Sequence, residues 1–195
     1  MEGQEDNKKV VLENYFERRK RPKNCFMLSL INYLKEVGDT YLPIRVVYGY
    51  LRHPLVNEDQ SISSAVITRV TSDLVQGRYE VFHQGDFSNT RQSIRYEYPD
   101  KFEELLKVFD EEIASGRISH VEGNLLYEPP AIISLGSREK GGSRHAIVDC
   151  GDDWYIDRTK KLKVPRKEVE AYGIKSALTL KIKNDKFRSY CKQDS

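Results

Sequence analysis

Apolar residues in the first half of the chain recur at helical spacing. Met27, Leu30, Ile31 and Leu34 stand at i, i+3, i+4 and i+7, which predicts a helix over 25–37 with one buried face. Asn24 is placed to cap it, because an asparagine side chain accepts a hydrogen bond from a free N–H of the first turn. Gly38 is placed to end it. Pro43 suits the first turn of a second helix, with Ile44, Val47, Tyr48 and Leu51 as its inward stripe and Pro54 as its stop. A third helix is read over 61–74, with Ile62, Ala65, Val66, Val70 and Leu74 inward; its Val and Ile content leaves a strand as the alternative. Residues 79–83 read as a strand and 85–92 as a polar loop. Residues 99–114 read as a helix with Phe102, Leu105, Leu106, Phe109 and Ile113 as its stripe.

After Pro129-Pro130 the pattern shortens. Ala131 to Leu135 is a buried strand by length and β-branching. A glycine-rich charged loop, 136–144, leads to strands over 145–150 and 154–157 joined by Gly151-Asp152-Asp153. A short helix over 165–172, closed by Gly173, precedes a last alternating strand over 176–183. A helix-rich half followed by a sheet-rich half predicts an α+β domain over 10–185, with tails at 1–9 and 186–195. Val10 to Phe16 reads as a short helix or an edge segment.

Composition narrows the class. Hydrophobic residues at 38% and charged residues at 32% are those of an ordinary globular chain. A net charge of +2 gives no global pull toward nucleic acid or an anionic membrane. The one concentrated feature is the basic run Arg18, Arg19, Lys20 and Arg21. It reads first as a solvated linker and second as a contact for an acidic partner or nucleic acid. No apolar run approaches the roughly 18 residues that span a bilayer, and the N-terminus lacks the apolar stretch of a signal peptide. A cytoplasmic setting with no membrane partner is the expectation. Three cysteines and four well-separated histidines argue against a disulfide framework and a structural zinc site.

Three residues carry candidate chemistry. Cys25 opens a helix, where free N–H groups and aligned dipoles favour the thiolate. His145 opens a strand, and an imidazole can hold a thiolate as an ion pair and later protonate a leaving group. A three-residue loop at 151–153 sets Ile147 opposite Asp157 and His145 opposite Thr159. Asp157 then lies diagonally across from His145, roughly 7 Å away at the backbone, and is able to fix its tautomer. A two-residue loop would turn Asp157 to the wrong face. Asp149 is the reserve orienting residue. Trp154, Ile156, Ala146, Val148 and Cys150 read as core on the other face, and Cys191 as incidental.

Cys25 at a helix start, the strand after Pro130, the run Ser143-Arg144-His145-Ala146-Ile147-Val148 and the run Trp154-Tyr155-Ile156-Asp157 resemble papain-like cysteine peptidases. The order of elements from 19 to 183 is most similar to that of bacteriocin-leader peptidases and their relatives. The resemblance implies a papain-like fold and hydrolysis of a peptide or isopeptide bond by Cys25, His145 and Asp157, with no metal or organic cofactor and a peptide or protein as substrate. It also admits an acyl transferase of transglutaminase type, on His145, Val148, Trp154, Asp157 and Thr159, or a binding module on the same fold. The peptidases usually carry a glutamine about six residues before the nucleophile to donate to the oxyanion; Arg19 stands there. The Cys25 N–H is left as one oxyanion donor, and the second is Asn24 or Lys23 or is absent.

Overall fold

The computed structural model describes residues 24–75, 77–123, 125–136 and 145–183. Both tails, the segment 10–16, the basic run at 18–21, residues 137–144 of the glycine-rich loop and Cys191 lie outside the described residues.

The fold is mixed α+β. Its helices among the described residues are α1 (Cys25–Glu36), α2 (Leu42–Leu51), α3 (Ile67–Leu74), α4 (Thr90–Glu97), α5 (Phe102–Ala114) and α6 (Arg166–Tyr172). Its strands are β1 (Tyr79–Gly85), β2 (Ile118–His120), β3 (Ala131–Leu135), β4 (His145–Gly151), β5 (Trp154–Asp157), β6 (Lys160–Lys163) and β7 (Ile174–Ile182). They form one sheet in the order β2-β1-β7-β3-β4-β5-β6, antiparallel except for the β1–β2 pair. Alternation along the strands divides two cores. Ile132, Val148, Leu178 and Leu180 join the main core with α1, α2 and α3, whereas Ile133, Ile147, Tyr155 and Ala177 pack beneath Val169 of α6.

α1 occupies the expected residues, but Asn24 makes no side-chain capping bond; its carbonyl accepts the Leu28 N–H at 3.1 Å instead. Gly38, at φ +78°, closes the helix. Asp39 then sets up α2: Oδ1 accepts the N–H groups of Tyr41 (3.0 Å) and Leu42 (2.9 Å), and Oδ2 accepts the Tyr79 hydroxyl (2.9 Å). This turn rotates α2 away from the expected face. Leu42, Val46 and Tyr50 are buried, while Ile44 (67%), Tyr48 (63%) and Leu51 (49%) are exposed. Both stripes are apolar at helical spacing, so periodicity alone does not choose between them; the Asp39 turn does. Replacing Leu42 with alanine is therefore expected to cost about 2–5 kcal/mol. Ile44→Lys should stay within about 0.5 kcal/mol of wild type, both read from urea unfolding midpoints.

Other elements differ from the periodic reading in ways that follow from side-chain chemistry. α3 begins at Ile67, not at 61, because the Ser63 hydroxyl takes the Ala65 N–H (3.3 Å) and its carbonyl takes the Val66 N–H (3.2 Å), a turn that competes with helix. The loop expected at 85–92 is shorter than read, because Gly85 ends β1 and Thr90 opens α4, an otherwise polar helix that buries Thr90 and Ile94. β2 and β6 are short edge strands, and the three lysines of β6 suit an edge that must not pair further. Trp154, expected in the core, is 38% exposed beneath the Lys163 ammonium (5.7 Å).

α5 buries Leu105, Phe109 and, unexpectedly, Glu112, while Ile113 turns outward. Burial pushes the Glu112 carboxyl up to about 7, against the pull of Arg117 and Arg69. A folded-state value above the ordinary 4.5 means that stability falls as pH rises from about 4.5 to about 7. Glu112→Gln is expected to raise the thermal midpoint by about 3 °C or more at pH 8 and to change it little at pH 4.5, checked by thermal melts at both values.

Candidate active site

The hairpin of β4 and β5 places His145 and Asp157 by a route the sequence does not reveal. The connection is a two-residue turn, Asp152-Asp153, with φ +49° and +63°. Such a turn, with Gly151 opposite Trp154, would by itself bring Asp157 to the wrong face. A β-bulge between Asp149 and Gly151 inserts one extra residue, after which Asp149 lies opposite Tyr155 and Val148 opposite Ile156. Gly151, at φ +88°, supplies the left-handed residue this bulge needs. The expected register is thereby restored, and the side chains meet: His145 Nε2 lies 2.9 Å from Asp157 Oδ1, and both residues are buried.

Cys25, half-buried at the first turn of α1, lies near enough to the His145 side chain and to the backbone N–H groups of Ala146 and Phe26 for each to act on its thiol. Burial raises the Cys25 thiol, but the bond to His145, the Ala146 N–H, the imidazolium charge and the Phe26 N–H together hold it below its ordinary value. Burial lowers His145, yet the bond to Asp157, the bond to Cys25 and the two negative charges raise it to about 9. The two shifts run in opposite directions and both favour a thiolate beside an imidazolium.

The remaining candidates separate clearly. Asp149 shares the strand face of His145 but is committed elsewhere: it accepts the Tyr127 hydroxyl and the Gly151 N–H, each at 2.9 Å, with Arg166 at 3.8 Å. It holds the turn and does not orient His145, which corrects its reading as a reserve. Cys150 is half-buried; burial and the Glu36 carboxylate push its thiol up to about 11, so it is the unreactive cysteine of the two described. Asn24 stands next to Cys25 with its side chain unused by the helix. Arg19 and Lys23 lie outside the described residues.

One neighbour escaped the periodic reading. Tyr50, fully buried on α2, donates to the Gln60 carbonyl at 3.1 Å; burial first and the Cys25 charge second keep its hydroxyl protonated. Its placement followed from the rotation of α2, which no local pattern encodes.

Among the described residues, no group of three or more His, Cys, Asp or Glu is arranged to hold a metal ion, and no helix is long and apolar enough to cross a membrane. Comparison of the chain with known family models, with characterised proteins and with solved structures returns no significant match.

Proposed function

We propose that this domain is a thiol hydrolase of papain-like type that cleaves a peptide or isopeptide bond, with Cys25 as nucleophile, His145 as acid and base, and Asp157 as the group that orients His145. The observation that carries the reading is the buried His145 Nε2–Asp157 Oδ1 bond at 2.9 Å, with Cys25 at the start of α1 near enough to the same ring for each to shift the other's titration. In the first step the thiolate attacks the carbonyl carbon, a C–S bond forms, and the carbonyl electron pair moves onto oxygen. The imidazolium then protonates the departing nitrogen as the C–N bond breaks, leaving a thioester on Cys25. Neutral His145 next takes a proton from water; the resulting hydroxide equivalent cleaves the thioester and restores thiolate and imidazolium. Asp157 keeps the Nε2 proton in place throughout, so that Nδ1 is the nitrogen that exchanges protons. The developing oxyanion meets the N–H groups at the start of α1, and Asn24 is the side chain beside them able to donate.

The test is the pH dependence of Cys25 alkylation by iodoacetamide, followed by peptide mapping. A reactive pair labels well below the ordinary thiol midpoint of about 8.5. It loses the imidazolium as pH rises through about 9. Labelling that rises only near the ordinary thiol value would refute the reading.

A further inference from the structure

Helix α1 meets the hairpin along one polar stripe. Cys25, Ser29, Asn32 and Glu36 stand at i, i+4, i+7 and i+11 and therefore share a face. Cys25 lies beside the His145 side chain, which acts on its thiol. Ser29 Oγ donates to the Ala146 carbonyl at 2.9 Å. Asn32 Nδ2 donates to the Arg158 carbonyl. Glu36 accepts Lys161 Nζ at 3.0 Å. The two middle contacts are informative because of what their partners adjoin: Ala146 directly follows His145, and Arg158 directly follows Asp157. Arg158 also adopts φ +58°, a left-handed conformation costly for a residue with a Cβ, in the short turn between β5 and β6. A turn of that kind persists when its surroundings hold it.

We propose that Asn32 is a positioning residue: by holding the Arg158 carbonyl it fixes the turn that follows Asp157, and so keeps the Asp157 carboxylate on the His145 ring. The nucleophile and the clamp on the orienting residue are then two turns apart on one helix. Any shift of α1 along the hairpin moves both together. The inference rests on the thiol hydrolase reading, since it assigns Asn32 a task within that site.

The experiment compares the full-length Asn32→Asp, Asn32→Ala and Tyr33→Phe proteins with wild type. Asn32→Asp keeps the size of the side chain and, once ionised, removes the donor; Asn32→Ala removes both. Tyr33→Phe deletes the bonds that the same helix makes to β7, where the Tyr33 hydroxyl donates to the Leu180 carbonyl (3.1 Å) and accepts the Leu180 N–H (3.0 Å). It is the control for lost stability alone. Both Asn32 variants are expected to raise the pH midpoint of Cys25 alkylation by about one unit, which is about tenfold slower labelling at acidic pH. They should also lower the midpoint of the His145 ring titration, followed by NMR, from its value near 9. Tyr33→Phe should lower the urea midpoint and leave both titrations in place. Asn32 variants that fold and titrate like wild type would overturn the proposal, as would a Tyr33→Phe protein that shifts equally. Should Asn32→Ala fail to fold, the isosteric Asn32→Asp protein decides alone. A wild-type protein with an ordinary thiol midpoint would instead sink the hydrolase reading, and the role assigned to Asn32 with it.

Discussion

The His145→Ala protein is expected to label Cys25 only at or above the ordinary thiol midpoint of about 8.5, with the reactivity at pH 6.5 reduced at least tenfold. The sign follows from what remains once the imidazole is gone. Burial, the largest influence on this thiol, raises its value, and only the Ala146 and Phe26 N–H groups are left to oppose it. Hydrolysis should fall further than alkylation, by about 10²–10⁴-fold, because the ring also delivers the proton to the leaving nitrogen. Alkylation has no such demand. Equal alkylation profiles in the two proteins would mean that the ring does not share a proton with the sulfur.

How this site assembles shows which parts of a fold are legible in a sequence. The start of α1 at Cys25 is a local property, carried by the stripe of Met27, Leu30 and Leu34, and it is read correctly. The outer face of α2 is not local. Residues 41–51 offer two apolar stripes, and the choice between them is made by Asp39, whose carboxylate ties the turn to Tyr79, forty residues away. Polar helices such as α4 and lysine-rich edge strands such as β6 carry little periodic signal, because they bury little. The hairpin is the most instructive element. Asp157 does share a face with His145, but the expected three-residue loop is replaced by a two-residue turn and a bulge, two departures that cancel in register. Alternation fixes the face of a side chain modulo two residues, so a pattern is blind to any pair of such changes. Gly151 is the visible trace of the bulge, since its φ of +88° disfavours other residues. Ser29 and Asn32 escaped notice for a different reason: a polar residue on a helix reads as solvent-facing unless the strand that meets it is already known.

Asn24→Ala should separate the two kinds of chemistry that pass through Cys25. The Asn24 side chain makes no capping bond to α1, so its loss should not carry the roughly 1 kcal/mol of helix stability that removal of a true N-cap carries. Alkylation by iodoacetamide displaces iodide at a saturated carbon and builds no oxyanion. Its rate and pH midpoint should match wild type, because Cys25 is held by His145, Ala146 and Phe26. Attack on a carbonyl does build an oxyanion, and deleting one of its donors typically lowers the rate by about 10²–10³-fold. The loss should fall in kcat with KM nearly unchanged, because the charge exists only beyond the ground state. A peptide aldehyde, which adds the thiolate to give a tetrahedral adduct, should bind more weakly by a similar factor, and this can be measured before any natural substrate is known. Equal aldehyde affinity in the two proteins would remove Asn24 from the oxyanion site and leave the Cys25 N–H as the donor there. Weaker aldehyde binding together with slower alkylation would mean that Asn24 acts on the thiol itself. Only the split result, alkylation intact and aldehyde binding lost, assigns the amide to the oxyanion in place of the glutamine that papain-like peptidases usually place six residues before the nucleophile.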